Sequence, residues 1–249
     1  MPCSAILLAA GYGTRLYPLT KDRPKALLPL GTGVLLDQTW HALEQLPTIG
    51  HRVLVTNHRF APQFERWRRQ RKAGVEIVND GTTGPARRLG AIPDLLLGWA
   101  RAPHDDVLVI GTDNLLTWSL KPFLRAAQAT RPAATIGTWR VPTRREASLY
   151  GVVAMNRRNR ITRFLEKPAR PMSRAIALCL YYFPAAVKAR MKQFLAQGGN
   201  GDAPGFFLAW LAQHEPVYAH VATGHWFDIG SHASYHAVLA WKKRTTRSR

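Results

Sequence analysis

The sequence predicts an α/β protein built around a mainly parallel sheet. Short all-apolar runs of strand length recur along the chain, and between them stand segments whose apolar residues step by three and four. Length agrees, because 249 residues suffice for one large domain with a full core. The first run, Ile6–Ala10, contains nothing polar, which suits a strand buried on both faces. It ends in the turn Gly11-Tyr12-Gly13.

Past that turn come Thr14-Arg15-Leu16 and then Pro24-Lys25-Ala26-Leu27-Leu28-Pro29-Leu30. Gly31-Thr32-Gly33 turns the chain, and Leu35–Leu46 carries helical spacing. His51–Asn57, centred on Val53-Leu54-Val55, is a second buried strand, and Gln63–Lys72 a strongly basic surface helix. Val75–Asn79 is a third strand, Asp80–Pro85 a loop by composition, and Ala86–Trp99 a helix. The fourth strand, Val107–Ile110, runs straight into Gly111-Thr112-Asp113-Asn114, with a helix expected over Leu120–Thr130. This rhythm is that of βαβ units.

Beyond a further strand, Ala134–Val141, the character changes. Tyr150–Met155 and Ile161–Glu166 alternate in period two around the polar turn Asn156–Asn159, and so read as a hairpin closed by Glu166-Lys167-Pro168. Ala175–Phe183 reads as a strand and Ala185–Leu195 as a helix. Asn200–Pro204 is a loop in which Asp202 could cap a helix over Phe206–Gln213. Val217–Val221 returns to strand, Gly224-His225-Trp226-Phe227-Asp228-Ile229-Gly230 follows, and a final helix runs from His232 to Lys243. No repeat of fixed period interrupts this, and the chain reads as one domain with two lobes, 1–141 and 142–249.

The formal charge of +20 separates two kinds of partner. Its basic clusters are scattered, at Arg66, Arg68, Arg69, Arg71 and Lys72, at Arg157, Arg158 and Arg160, and in the tail from Lys242 to Arg249. They lack the interleaved aromatics of a single-strand platform. The expectation is a solvated basic surface that draws in anionic substrates, with nucleic acid not the expected partner. Cys3 and Cys179 make no disulfide framework and sit in apolar stretches as small buried thiols. The N-terminal apolar run is too short for a signal segment or a membrane span, so a reduced, cytoplasmic, membrane-free protein is expected. The sequence leaves oligomeric state open, a homo-oligomer included.

The glycine turn is the first candidate for chemistry. Gly11 and Gly13 permit positive φ and let a ligand approach the backbone. Their N–H groups suit phosphate oxygens, and Arg15 and Lys25 add cations beside them. The turn is not a dinucleotide fingerprint, because Leu16 stands where the third glycine would fall, and it is no Walker loop either. Asp113 lies past the carboxyl end of the fourth strand, where ligands of open α/β sheets bind. Metal ligand and Asx-turn or helix cap both fit that position. No histidine or cysteine spacing suggests zinc.

Five separated segments, in one order along nearly the whole chain, resemble the sugar-1-phosphate nucleotidyltransferases, or nucleotide-sugar pyrophosphorylases, which include glucose-1-phosphate thymidylyltransferases and mannose-1-phosphate guanylyltransferases. They are Gly11–Leu16, Pro24-Lys25, Thr112-Asp113-Asn114, Tyr150-Gly151-Val152-Val153 with Glu166-Lys167-Pro168, and Trp226-Phe227-Asp228-Ile229-Gly230. The resemblance implies a Rossmann-like three-layer α/β/α sandwich with a mixed, mainly parallel sheet. The nucleotide would bind in 1–141 and the sugar in the smaller lobe, 142–249.

It also implies roles. The backbone of Ala10, Gly11 and Gly13, with the Thr14 hydroxyl, would cradle the nucleotide. Arg15 would hold the departing phosphates and Lys25 the α-phosphate. Asp113 and Asp228 would share a Mg²⁺. Lys167 would bind the sugar phosphate, Glu166 the sugar hydroxyls, and Tyr150 and Gly151 would line the sugar pocket. His225 would be packed or solvent-facing, and Trp226 would hold Asp228 in place by packing. The implied reaction joins an NTP and a sugar-1-phosphate, a hexose-1-phosphate being expected, and releases pyrophosphate. Its nucleophile is already an anion, so the need is for cations and a metal rather than a general base.

Two departures leave the base and sugar open. Asp80–Ala91 has no glutamine of the kind that reads a pyrimidine in thymidylyl and uridylyl members, and carries Arg87-Arg88 instead. Thr112 replaces a glycine frequent before the metal aspartate. No appended left-handed β-helix is expected after the final helix. The alternatives are a cytidylyltransferase for a non-sugar phosphate such as phosphocholine, and a catalytically silent module that binds nucleotide sugars.

Overall fold

The computed structural model describes residues 3–103 and 106–247; the last two residues of the basic tail lie outside that range. The strands, in chain order, are β1 (Cys3–Leu8), β2 (Pro29–Leu30), β3 (Gly33–Val34), β4 (Ile49–Thr56), β5 (Glu76–Asn79), β6 (Val107–Gly111) and β7 (Asn114–Leu116). They continue with β8 (Ala134–Arg140), β9 (Gly151–Met155), β10 (Ile161–Glu166), β11 (Ala175–Phe183), β12 (Val217–Val221) and β13 (Trp226–Asp228). The helices are α1 (Leu35–Glu44), α2 (Ala61–Arg71), α3 (Ala91–Trp99), α4 (Lys121–Ala129), α5 (Arg144–Ala147), α6 (Ala186–Ala196), α7 (Pro204–His214) and α8 (His232–Arg247).

The apolar runs build the sheet. β1, β4, β5 and β6 lie side by side in the order β5-β4-β1-β6, all parallel. β11 joins antiparallel to β6 and makes the sheet mixed. One edge of β11 pairs with β8, which pairs in turn with β12. Its other edge passes from β9, at Ile176, to β6 over Leu180–Phe183. The β9–β10 hairpin is the one the alternating sequence predicts. A gap therefore opens above the carboxyl end of β6, where one neighbour of β11 gives way to the other.

Alternation along β1 sends side chains into two cores. Cys3, Ala5 and Leu7 join Leu36, Trp40, Phe64, Trp67 and Phe123 of α1, α2 and α4 on one face. Ile6 joins Ile92, Leu95, Trp99, Met191, Phe194 and Phe207 of α3, α6 and α7 on the other. Helices on both faces of one mixed sheet give the expected three layers. A third cluster packs Tyr235 and Val238 of α8 on Leu16, Leu28, Leu30 and Ile229, and so ties the glycine loop to the end of the chain.

Three expectations need correction. The helix predicted from Ala86 starts at Ala91, because Gly90 holds φ +102°, outside the helical region, after a short turn over Pro85–Arg87. Asp202 does not cap α7, whose N-cap Ala203 has no side-chain hydrogen bond; its carboxylate pairs with Arg88 instead. Asn114–Leu116 is a short strand antiparallel to Trp226–Asp228, an element the sequence does not predict. Among the described residues no helix is long and apolar enough to cross a membrane.

Candidate active site

A cleft of about 450 Å³ opens over the carboxyl ends of β1 and β6. On its first wall, the loop after β1 is pinned from below: Asn57 Nδ2 donates to the Ala10 carbonyl at 2.9 Å and Thr20 Oγ1 to that of Gly13 at 2.7 Å. Gly13 takes φ +62°, and a Cβ there would press on Thr20 at 3.3 Å. A Cβ at Gly11 would meet nothing within 4 Å, so that glycine serves whatever enters the cleft rather than the protein's own packing. Thr14–Leu16 forms one tight turn, with Leu16 buried and Thr14 and Arg15 on the cleft wall.

Lys25 follows the extended Pro24 and is anchored by buried Ala26 and Leu27. Its Nζ lies 2.9 Å from Asp113 Oδ2. Asp113 Oδ1 accepts from Asn114 Nδ2 at 2.8 Å, and Asn114 Oδ1 accepts from Trp226 Nε1 at 2.6 Å. Thr112 ties the same loop to the end of β1, donating from N and Oγ1 to the Leu8 carbonyl. The β7–β13 ribbon sets Asn114 opposite Asp228, and Ile229 N donates to the Asp113 carbonyl at 3.0 Å. Two aspartates 115 positions apart in sequence thus become neighbours.

Their electrostatics differ. Burial pushes the Asp113 carboxyl up, but the Lys25 charge and hydrogen bond outweigh it and hold the group below its usual range. Asp228 is pushed up, by burial first and then by the Asp113 charge, with Lys25, Arg15 and the Tyr150 hydroxyl acting the other way. Tyr150 packs edge-on against Trp226, ring centres 5.2 Å apart. A cation between the two carboxylates would relieve their repulsion. Among the described residues no cluster of three or more His, Cys, Asp or Glu could hold a metal by itself. Two hard carboxylates fit Mg²⁺, which takes one or two of them and completes its shell with phosphate and water oxygens.

The opposite wall comes from the hairpin and α7. Glu166 is tucked against two glycines: a Cβ at Gly151 would lie 3.0 Å from its Oε2 and 2.6 Å from Phe164, and one at Gly205 would overlap it. Its side chain is 10% exposed and meets Lys167 at a loose 3.9 Å. Burial raises its carboxyl, with Lys167 pulling the other way. Lys167 holds φ +43°, a left-handed conformation uncommon without glycine, while its N–H donates to the Tyr150 carbonyl at 3.1 Å.

Gly11, Gly13, Thr14, Arg15, Lys25, Asp113, Tyr150, Gly151, Glu166, Lys167 and Asp228 all line this one cleft. Ala10 does not; it is buried, and its carbonyl holds the loop. Trp226 does more than pack, since it lines the cleft and steers Asn114. His225 is exposed, as expected. Sequence reasoning missed Asn114, Arg88, Cys179 and Tyr181 as cleft residues. Arg88 was visible as a departure in the loop after β5; nothing local marks the others. The Cys179 thiol, pushed up to about 12 mainly by burial, is a floor atom and no nucleophile.

The architecture is an α/β protein with a Rossmann-like sheet whose cleft sets cations beside paired carboxylates. The chain belongs to the nucleotidyl transferase family, whose sequence profile matches residues 4–243. It is 31% identical over 230 residues to the mannose-1-phosphate guanylyltransferase catalytic subunit beta of Drosophila pseudoobscura pseudoobscura, covering 91% of this chain and 58% of that protein. It is 32% identical over 180 residues to the glucose-1-phosphate adenylyltransferase of Corynebacterium diphtheriae, covering 67% and 41%. The chain spans well under two thirds of the length of these curated relatives. A solved structure of a Bacillus anthracis glucose-1-phosphate thymidylyltransferase superposes with a TM-score of 0.83 at 23% identity, covering 96% of this chain and 94% of that one, and so shares the fold.

Proposed function

We propose that the protein transfers a nucleotidyl group from an NTP to a sugar-1-phosphate, giving a nucleoside-diphosphate sugar and pyrophosphate. The observation that carries this is the meeting of Arg15, Lys25, Asp113, Lys167 and Asp228, drawn from five separate segments, around one cleft. In this reading the nucleotide occupies the half formed by 1–141 and the sugar phosphate the half formed by 142–249.

A sugar-1-phosphate oxygen attacks the α-phosphorus, and the bond to the β-phosphate breaks in line. The nucleophile arrives ionised, so no side chain has to remove a proton. Lys25, which neutralises Asp113 in the free protein, turns to the α-phosphate as the nucleotide enters. Arg15 neutralises the leaving pyrophosphate with a planar guanidinium suited to phosphate oxygens. Glu166 accepts hydrogen bonds from sugar hydroxyls, and Lys167 holds the sugar phosphate against the repulsion of the nucleotide. Asp113 and Asp228 would hold a Mg²⁺, which when bound supplies divalent charge to the two phosphates. The contribution is positioning plus electrostatic stabilisation.

The test is pyrophosphate release from each of GTP, ATP, CTP, UTP and dTTP, mixed with Mg²⁺ and a panel of hexose-1-phosphates. The expected result is turnover that needs nucleotide, sugar phosphate and Mg²⁺ together. Release with phosphocholine alone, or none with any pair, defeats the reading.

A further inference from the structure

The loop between β5 and α3 contributes two residues to the cleft lining, Pro85 and Arg88, beside the largely apolar wall of Leu8, Gly11, Tyr12 and Ala91. A flat apolar wall with few polar groups suits a nucleobase, and the polar groups then decide which one. Arg88 Nε and Nη2 donate to Asp202 Oδ1 and Oδ2 at 2.7 and 2.9 Å. This bidentate pair fixes the plane of the guanidinium and leaves its Nη1 N–H groups unused.

The backbone beneath Arg88 is fixed as well. Gly90 takes φ +102°, and a Cβ there would lie 2.8 Å from the Gly201 carbonyl. Ala91 N and Ile92 N donate to the carbonyls of Asp202 and Gly201 at 3.2 and 2.9 Å. Asp202 N in turn donates to Asn200 Oδ1 at 2.9 Å. Asp80 and Thr82 of the same loop are engaged elsewhere: Asp80 accepts from Thr82 N and meets Asp94, and Thr82 Oγ1 bonds the Tyr12 hydroxyl at 3.0 Å. What this loop presents to the cleft is a preset group that can only donate.

A donor-only fork chooses among bases. Guanine offers two adjacent acceptors, O6 and N7, which a guanidinium meets in bidentate fashion. Adenine sets an amino donor beside its acceptor and opposes the fork. Cytosine does offer two adjacent acceptors, N3 and O2, but O2 adjoins the glycosidic nitrogen and faces the ribose, so CTP is the competitor that the test has to separate from GTP. Uracil and thymine set N3–H beside O4, which calls for an acceptor next to the donor. We propose that Arg88, held by Asp202, reads the O6/N7 edge of guanine and that the nucleotide substrate is GTP. This rests on the nucleotidyl-transfer reading and adds the base to it.

The experiment measures kcat/KM for GTP, ATP, CTP, UTP and dTTP with Mg²⁺ and hexose-1-phosphate, alongside calorimetric binding of each nucleotide. It uses the wild type, Arg88→Ala, Arg88→Lys and Asp202→Asn, with folding checked by circular dichroism. GTP is expected to lead in the wild type. In Arg88→Ala and Arg88→Lys its lead over the other bases should fall about 5- to 150-fold, the range of one bidentate base contact. Arg88→Lys keeps the charge and loses the fork, so an equal fall in both variants ascribes the preference to geometry. Asp202→Asn should show a smaller fall of the same kind. Preference for another base in the wild type, or a GTP lead that survives Arg88→Ala, overturns the assignment while leaving nucleotidyl transfer standing. No turnover or binding with any nucleotide overturns both.

Discussion

The two walls of the cleft are prepared in opposite ways. On the glycine-loop side the Asp113 carboxylate is met at both oxygens: Lys25 holds Oδ2, Asn114 holds Oδ1, and Trp226 holds Asn114. On the hairpin side, Glu166 is nearly buried with only a loose contact to Lys167, whose backbone is strained. The first wall is a closed network that a ligand must enter by exchange, displacing Lys25 from Asp113. The second holds unmet polar capacity that burial keeps unfavourable until hydroxyls or a phosphate arrive. In the proposed reaction the wall facing the reacting atoms would present a carboxylate already paired, and the wall facing the sugar would carry its cost in the free protein.

The comparison is broken most severely at Asp113. Asp113→Asn and Lys25→Ala should each lower kcat by two to three orders of magnitude, about the effect of removing one preorganised electrostatic contact. Both should remain folded by circular dichroism. Asp113→Asn should also raise the Mg²⁺ concentration needed for half-maximal rate, which Lys25→Ala should not. Near-normal turnover in either variant removes that residue from its role.

Glu166→Gln sharpens the contrast from the other side. It removes a charge that burial disfavours but keeps the shape and one acceptor, so thermal stability at neutral pH should hold or rise slightly. Activity should fall about tenfold to a hundredfold, chiefly as a higher KM for the sugar phosphate. A marked loss of stability would mean that Glu166 is satisfied in the free protein and that the two walls do not differ in kind.

Much of this was legible in the sequence. The uninterrupted apolar runs gave the parallel strands, and the period-two arms around Asn156–Asn159 gave the hairpin within a residue. The glycine turn, Lys25, Asp113, Glu166-Lys167 and Asp228 were each locatable, though only their order along the chain raised them above local alternatives. The β7–β13 ribbon was not legible, because three-residue strands more than 100 positions apart leave no periodic trace. For the same reason the Asn114–Trp226 bond and the Arg88–Asp202 pair were invisible. Asp202 looked like a helix cap because capping is the local use of an aspartate before a helix, and a guanidinium 114 positions away outcompeted it.

The smallest effect on activity is expected beneath the loop that carries Arg88, where Asp94 of α3 meets Asp80. Asp94 is 8% exposed, its Oδ1 has no hydrogen-bond partner, and its carboxyl is raised to about 7, by burial first and by the neighbouring Asp80 second. A carboxyl whose pKa is higher folded than unfolded favours the fold while protonated. Its contribution is therefore intact below about pH 4 and is lost as pH rises towards 7, after which it stays constant. The full swing is on the order of 4 kcal/mol. Asp94→Asn keeps a donor for Asp80 and cannot ionise, so its melting temperature should match the wild type near pH 4 and exceed it at pH 8. Because the other titrating groups are common to both proteins, the difference between the two curves reports Asp94 alone. Parallel curves across that range would mean that Asp94 ionises as freely in the fold as in the open chain, and that the loop carrying Arg88 rests on a charged pair rather than on a shared proton.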